Sequence, residues 1–464
     1  MSRGDWQLIL LALGAVAVLV LLVTRWKVNA FLALALASLL VGAGAVALGV
    51  TPRGMPAPLT LLEVVEAFGT GLGRTLGTVA AIIGLGTMLG KLLEKSGGAE
   101  VLAERLTEIF GRERAVLCVM LLGFAVGLAS WFAVGLALLV PIVISLTAST
   151  GRPFLVLAIP LLATLSVMHG LTPPHPGPVA ALGAFRELQP DMGQLLLWAF
   201  ALGVPLAIVS GPLLAHRLAR AVPVAAPRPA PVTVREAVVR PGFGLTLFSI
   251  LLPVLLMLLD TLARLTLPPE SAAARGAGFL GHPTIALLAS VLFASWSLGT
   301  RCGHSRARVL QSTEESIAAV GMTLLIVGAG GGFATVLKAA GVADAMGHLA
   351  RMLGLPVLLY GWLVAAFIRV ATGSSTVAIT ASAGLLAPVM ADYPGTNVEL
   401  LILAIGCGSL VLSHLNDGGF WIVKEYLGLT VGQTLRTWTV VETVLGVAGL
   451  LLTLLAHAGW RWWH

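Results

Sequence analysis

Apolar residues along this chain gather in long runs rather than in the stripes of a water-soluble fold. Runs near 6–23, 28–50, 76–94, 153–170, 193–215, 242–262, 282–299, 319–340, 397–415 and 437–457 are each close to the roughly 20 residues that one bilayer crossing needs. Two further stretches, 115–149 and 355–391, are too long for one crossing. Each is interrupted halfway, by Ala129, Ser130 and Trp131 in the first and by residues 372–376 in the second. Irregular backbone at membrane depth is tolerated only where protein or a cavity covers it, so both stretches predict bent or re-entrant helical hairpins. The pattern predicts an all-α polytopic membrane protein with about 10–12 transmembrane helices.

Composition agrees. Of 464 residues, 58% are hydrophobic and 11% charged, against about 25% charged in soluble domains. This excludes a soluble enzyme, a nucleic-acid-binding module and a disordered chain. The first run has no small-residue cleavage site and is followed by Arg25 and Lys27, which reads as a retained helix rather than a signal peptide. Cys118, Cys302 and Cys407 form no CxxC pair, so they read as small core residues and not as a thiolate metal site.

The net charge of +7 is explained by topology rather than by an anionic partner. With the N-terminus outside and both hairpins returning to their own side, 18 of the 28 Lys and Arg residues fall in the cytoplasm, as the positive-inside bias requires. Residues 221–241 are rich in Pro and Arg and poor in large apolar side chains. They read as a cytoplasmic linker between an N-terminal half (1–220) and a C-terminal half (242–464).

The halves resemble each other. Gly77, Gly84, Gly86 and Gly97 recur as Gly321, Gly328, Gly330 and Gly341 at a constant offset. Pro141 corresponds to Pro388 and His169 to His414. Each half runs through a Gly-rich helix, a short amphipathic helix, an interrupted hairpin, then a helix ending in His and a polar break. The repeats, about 75–190 and 319–430, enter their hairpins from opposite sides in this topology. Inverted repeats of that kind are typical of secondary transporters.

Four polar interruptions sit at matching places: ASWFAVG (129–135), MHGLTPPHPGP (168–178), ATGSST (371–376) and SHLNDGGFW (413–421). A broken helix frees N–H groups at one new end and C=O groups at the other, which attract anions and cations respectively. Pro173, Pro174, Pro176 and Pro178 preclude helix around His175. With His169, this histidine can donate to a hydroxyl or carboxylate or take a proton near pH 6.5. Asp417, beside Asn416, and Glu442 are intramembrane acids, a costly placement that usually marks function. Arg369 can meet a carboxylate bidentately. Ser130, Thr172, Gly373, Ser374, Ser375 and Thr376 complete a substrate-binding set with His169, His175, Arg369 and Asn416. Asp417, His175 and His169 are the proton-coupling candidates. No cofactor is called for beyond a coupling ion, expected to be H+.

HGLTPPHPGPVAA (169–181), ATGSSTVAITASAG (371–384), SHLNDGGFWIVKEYLGLT (413–430) and RTWTVVET (436–443) together resemble the gluconate:H+ symporter (gluconate permease, GntP) family of the ion-transporter superfamily. The resemblance covers nearly the whole chain. It implies proton-driven uptake of gluconate or a related sugar acid across the bacterial inner membrane, with re-entrant hairpins and a homodimer. The alternatives are a Na+- or H+-coupled carrier of another small carboxylate, such as a dicarboxylate or a D-serine-like amino acid, and, remotely, an intramembrane metalloenzyme.

Overall fold

A computed structural model describes residues 2–51, 57–227, 239–268, 270–342, 345, 348, 349, 352, 354–415 and 417–463. The described residues are helical, with no strand among them. Ten of their helices are long and apolar enough to cross a membrane. Much of the expected linker, 228–238, lies outside the described residues, as does Asn416.

The N-terminal half begins with α1 (Arg3–Thr24) and α2 (Ala30–Ala47). Next come α3 (Leu61–Ser96), a helix of 36 residues, and the amphipathic α4 (Gly98–Phe110). The apolar run of α3 begins only near residue 76, yet the helix starts fifteen residues earlier. Thr60 and Glu63 form a reciprocal capping box there, which satisfies two of the N–H groups that a helix start leaves free.

The first interrupted stretch is α5 (Ala115–Ala129) and α6 (Phe132–Thr150), broken at Ser130 and Trp131. Its two ends meet: Arg112 donates to the Ser149 carbonyl at 3.4 Å and Arg152 to the Glu113 carbonyl at 2.8 Å. The stretch therefore returns to the side it started from. A second broken helix follows, α7 (Phe154–Leu171) and α8 (Pro176–Ala184), joined through Thr172–His175. Apart from His169, every residue of α7 is buried, so α7 is a central post rather than a lipid-facing span. The half closes with α9 (Met192–Ser210) and α10 (Pro212–Ala221).

The C-terminal half opens with α11 (Phe243–Thr266), α12 (Ala272–Gly281) and α13 (Pro283–Ala294). From there its order of elements repeats that of the first half. A long helix, α14 (Arg306–Ala339), precedes a hairpin of α15 (Val357–Thr372) and α16 (Ser375–Leu386), broken at Gly373. Leu386, at the end of α16, packs against Gly361 near the start of α15, so this stretch also returns. α17 (Val398–Gly408), buried from Glu399 onward, a non-helical passage, and α18 (Gly418–Leu427) form the second broken helix. The final helix, α19 (Val431–Trp463), spans 33 residues.

One boundary departs from expectation. The apolar run 397–415 predicts a single span, but its helix stops at Gly408. Ser409 turns its hydroxyl back onto the Gly406 carbonyl at 2.7 Å, and Leu412 adopts a positive φ of 51°. Apolar composition continues through the break, so hydropathy alone carries the run past the real end.

The two halves are sewn together along their Gly-rich helices. A Cβ on Gly71 of α3 would collide with the Gly331 carbonyl of α14, and a Cβ on Gly331 with Thr75. Glycine there permits a backbone-to-backbone approach of the small-residue kind that packs membrane helices. Each long helix also backs a break. A Cβ on Gly86 of α3 would come within 2.9 Å of Pro174, one on Gly90 would strike the Ala129 carbonyl, and one on Gly330 of α14 would strike Thr380 of α16.

Candidate functional site

The four helix breaks converge in two layers. In the first half, the hairpin tip (Ala129, Ser130) and the passage 172–175 lie side by side, both against the Gly86–Gly90 face of α3. Nε2 of His175 donates to the Gly127 carbonyl at 2.7 Å and so ties the passage to the end of α5. The second half repeats this tether: Nε2 of His414 donates to the Val370 carbonyl at 3.0 Å, near the end of α15. In both halves a histidine from the broken helix holds the carbonyl two residues before the hairpin's first arm ends.

These bonds settle the ring chemistry. A carbonyl only accepts, so His175 is protonated at Nε2 when neutral and its Nδ1 is a bare acceptor. That Nδ1 is buried and has no protein partner, nor does Nδ1 of His169, whose ring stands edge-on to it at 5.3 Å. The Ser130 hydroxyl, 3% exposed, is also without a partner. Buried polar atoms are nearly always satisfied, so three orphans around one break mark a place built for something else.

In the second layer the polar groups satisfy one another. Arg369, 4% exposed, spends Nη2 on Asp417 at 2.6 Å and Nη1 on the Gly373 carbonyl at 2.6 Å, which closes the α15–α16 tip. Only its Nε lacks a partner. Asp417 also accepts from the Gly419 N–H at 2.8 Å, capping α18, and from the Ser413 hydroxyl. Ser413 is held in turn by the indole N–H of Trp438 at 2.6 Å, while its carbonyl accepts from Thr439. The other oxygen-bearing residues are committed locally. Ser374 caps α16 through the Val377 N–H at 3.3 Å, Ser375 shares a hydrogen bond with Ser409 at 2.7 Å, and Thr172 turns to the Met168 sulfur at 3.7 Å. Gly373 takes the left-handed φ of 74° that ends α15 without a Cβ clash, and Thr376 is half-buried beside it.

Arg369, expected to meet a substrate carboxylate, thus has both Nη atoms engaged inside the protein. Two residues outside the expected set join the layer. Glu442 of α19, 1% exposed, lies 3.9 Å from Arg369 and accepts from the hydroxyl of Ser166 on α7. Glu442 is visible in the sequence as a lone acid in an apolar helix. Ser166 carries no such signal, because its partner is 276 residues away.

A cavity of about 140 Å³ opens at the first tip, lined by Gly90 and Lys91 of α3, Ser130, Trp131 and Val134 of the hairpin, and Ser316 of α14. Its acids are already paired: Glu94 with Lys91 at 3.1 Å and Glu315 with Lys95 at 3.9 Å. The α6 N-terminus points its first N–H groups here with no side-chain cap. Among the described residues, no three His, Cys, Asp or Glu side chains are grouped as metal ligands.

Long gapped helices, two hairpins that return to their own side and buried helix breaks with orphaned polar atoms define a multi-pass membrane transporter. The chain belongs to the GntP permease family: residues 6–459 match the family model described as GntP family permease. It is 42% identical over 457 residues to the gluconate permease of Pseudomonas aeruginosa, covering 97% of this chain and 98% of that one. It is 38% identical over 455 residues to the high-affinity gluconate transporter of Escherichia coli, covering 97% and 99%. The YdaH transporter of Alcanivorax borkumensis shares the fold, with a TM-score of 0.63 at 17% identity over 93% of this chain and 98% of that one. The protein is therefore a bacterial inner-membrane carrier and not an enzyme.

Proposed function

We propose that this permease takes up gluconate or a closely related sugar acid and couples its entry to protons. The observation that carries the proposal is the first-half tip. There a cavity of about 140 Å³ is bounded by an uncapped helix N-terminus and by an orphaned, buried Ser130 hydroxyl. A carboxylate is favoured at the α6 N-terminus, the substrate's hydroxyls have Ser130 Oγ to meet, and the neighbouring broken helix offers the unpartnered Nδ1 atoms of His169 and His175. The polyhydroxy acid would thus satisfy the groups the protein leaves unmatched. Relatives named for gluconate support this substrate class.

Proton coupling is supported by the buried acid–base layer beside the second tip. The repeated order of elements and paired histidine tethers support two inverted halves that rock against each other, within a homodimer. The deciding experiment is uptake into proteoliposomes with a pH gradient and no Na+. Gluconate should accumulate, and a protonophore should abolish accumulation. Strict Na+ dependence would overturn the coupling. Stabilisation in a thermal-shift panel by D-serine or dicarboxylates, and not by sugar acids, would overturn the substrate.

A further inference from the structure

We propose that Glu442 is the residue that carries the coupled proton, with Asp417 serving as the fixed counter-ion of Arg369; this rests on the proton-coupled reading above. The layer between α7, α15 and α19 holds one permanent cation, Arg369, and two carboxyl groups, Asp417 and Glu442, all nine-tenths buried or more. Burying an ion without its opposite is costly, so one cation compensates one carboxylate, and the other carboxyl is neutral when it carries a proton.

Geometry separates the two acids. Asp417 has the close pair with Arg369, the Gly419 N–H and the Ser413 hydroxyl, the donor set of a permanent carboxylate. It also caps α18, a duty that protonation would weaken. Glu442 has Arg369 only at 3.9 Å and a single hydroxyl donor, Ser166. A proton on Glu442 leaves the contacts of Asp417 with Arg369, Gly419 and Ser413 in place.

Among the described residues, Glu442 has no other titratable partner on the elements packed against α19. α7 brings Ser166, and its His169 lies within electrostatic reach of Arg369. α15 brings Arg369, and the passage before α18 brings Asp417. α9 has no ionisable side chain along its length. α17 brings Glu399, bound by the Asp191 N–H at the far end of that helix, and Cys407, packed on Gly449. α10 carries His216, Arg217 and Arg220, and α18 carries Lys424, Glu425 and Tyr426, outside the buried layer.

Position gives the proton its consequence. Ser166 stands one turn before His169, so the Ser166–Glu442 contact joins the broken helix of the first half to the last helix of the second. The neutral acid lets that contact persist as the halves move. Loss of its proton to the cytoplasm leaves a second carboxylate competing for Arg369, whose Nη1 closes the α15–α16 tip at Gly373. Reprotonation from the outer side restores the pairing with Asp417. One proton enters and one leaves per cycle.

The test uses E442Q, a permanent mimic of the protonated acid, with E442D alongside, in proteoliposomes of the full chain. E442Q is expected to lose all accumulation of labelled gluconate driven by a pH gradient while still exchanging internal for external gluconate, and that exchange should no longer depend on pH. E442D should still accumulate gluconate, with a displaced pH profile. Gradient-driven accumulation by E442Q would overturn the assignment. So would loss of both accumulation and exchange in E442Q with no recovery in E442D, since Glu442 would then be structural. A wild-type protein indifferent to protonophore would instead sink the proton-coupled reading as a whole.

Discussion

Replacing Asp417 by alanine strips Arg369 of its close anionic partner, the carboxylate 2.6 Å from its Nη2. The guanidinium is 4% exposed, its Nη1 is fixed on the Gly373 carbonyl at 2.6 Å, and the next carboxylate, Glu442, is 3.9 Å away. Because both partners are buried, solvent screening does not dilute the pair, and breaking it from one side costs roughly 3–5 kcal/mol. D417A also removes the cap of α18 at the Gly419 N–H, which adds about 1 kcal/mol. R369M should cost a similar amount by orphaning Asp417, which retains its Ser413 and Gly419 donors. The double variant D417A/R369M leaves neither charge unpaired, so its loss should fall short of the sum by about 0.5–3 kcal/mol, the range for residues in one network. Cys118, Cys302 and Cys407 are all buried, so a thiol-reactive dye in detergent reports unfolding directly on heating. Additive losses in the three variants would refute the reasoning, because they would mean that Arg369 and Asp417 do not compensate each other.

Three further outcomes follow from the packing. G90V should displace the first hairpin tip, since its added carbons meet the Ala129 carbonyl; overpacking of this kind costs about 1–3 kcal/mol, and gluconate uptake should fall while the protein remains monodisperse. H175A and H414A each cut one histidine tether to a hairpin carbonyl. Both should increase cysteine-trapping of the tips by mobile reagents, but H175A alone should also raise the KM for gluconate, because its unpartnered Nδ1 belongs to the proposed substrate site. Single cysteines at Arg275 and Arg301 should label from opposite faces of right-side-out vesicles, Arg275 from outside; labelling from one face would invert the second half.

The large pattern was legible because membrane helices are written in composition. Runs of apolar residues gave the spans, and the breaks at Ser130, 172–175 and Gly373 were visible as polar or Pro-rich letters in an apolar text. Boundaries were less legible where the cause is local bonding. The start of α3 depends on a capping box in a polar segment, and the end of α17 on Ser409 turning back to Gly406. The site was half legible. His169, His175, Arg369 and Asp417 stand out as charged or titratable residues at breaks, yet nothing in spacing shows that Arg369 answers Asp417 rather than a substrate. Pairings such as Ser166 with Glu442, or Ser375 with Ser409, are set by how distant helices pack, and no periodicity records them.

The two layers therefore divide the work of a carrier by how well each is satisfied. The first-half layer is rigid, with Pro173, Pro174, Pro176 and Pro178 around its break and His175 pinned to Gly127, and it holds orphaned polar atoms that the proposed substrate would complete. The second-half layer has almost no orphan but carries an excess of acid over base, so its internal bonding depends on whether one proton is present. Ser166 and Glu442 join the layers directly, and α3 against α14 joins their supports through glycines too small to cushion movement. On the proposed reading, a substrate that fills the first layer would stiffen α7, the helix that presents Ser166 to Glu442. On that reading, occupancy of one layer and protonation of the other would be read by the same helix, and a carrier whose two conditions meet on one rigid element can be made to move only when both are met.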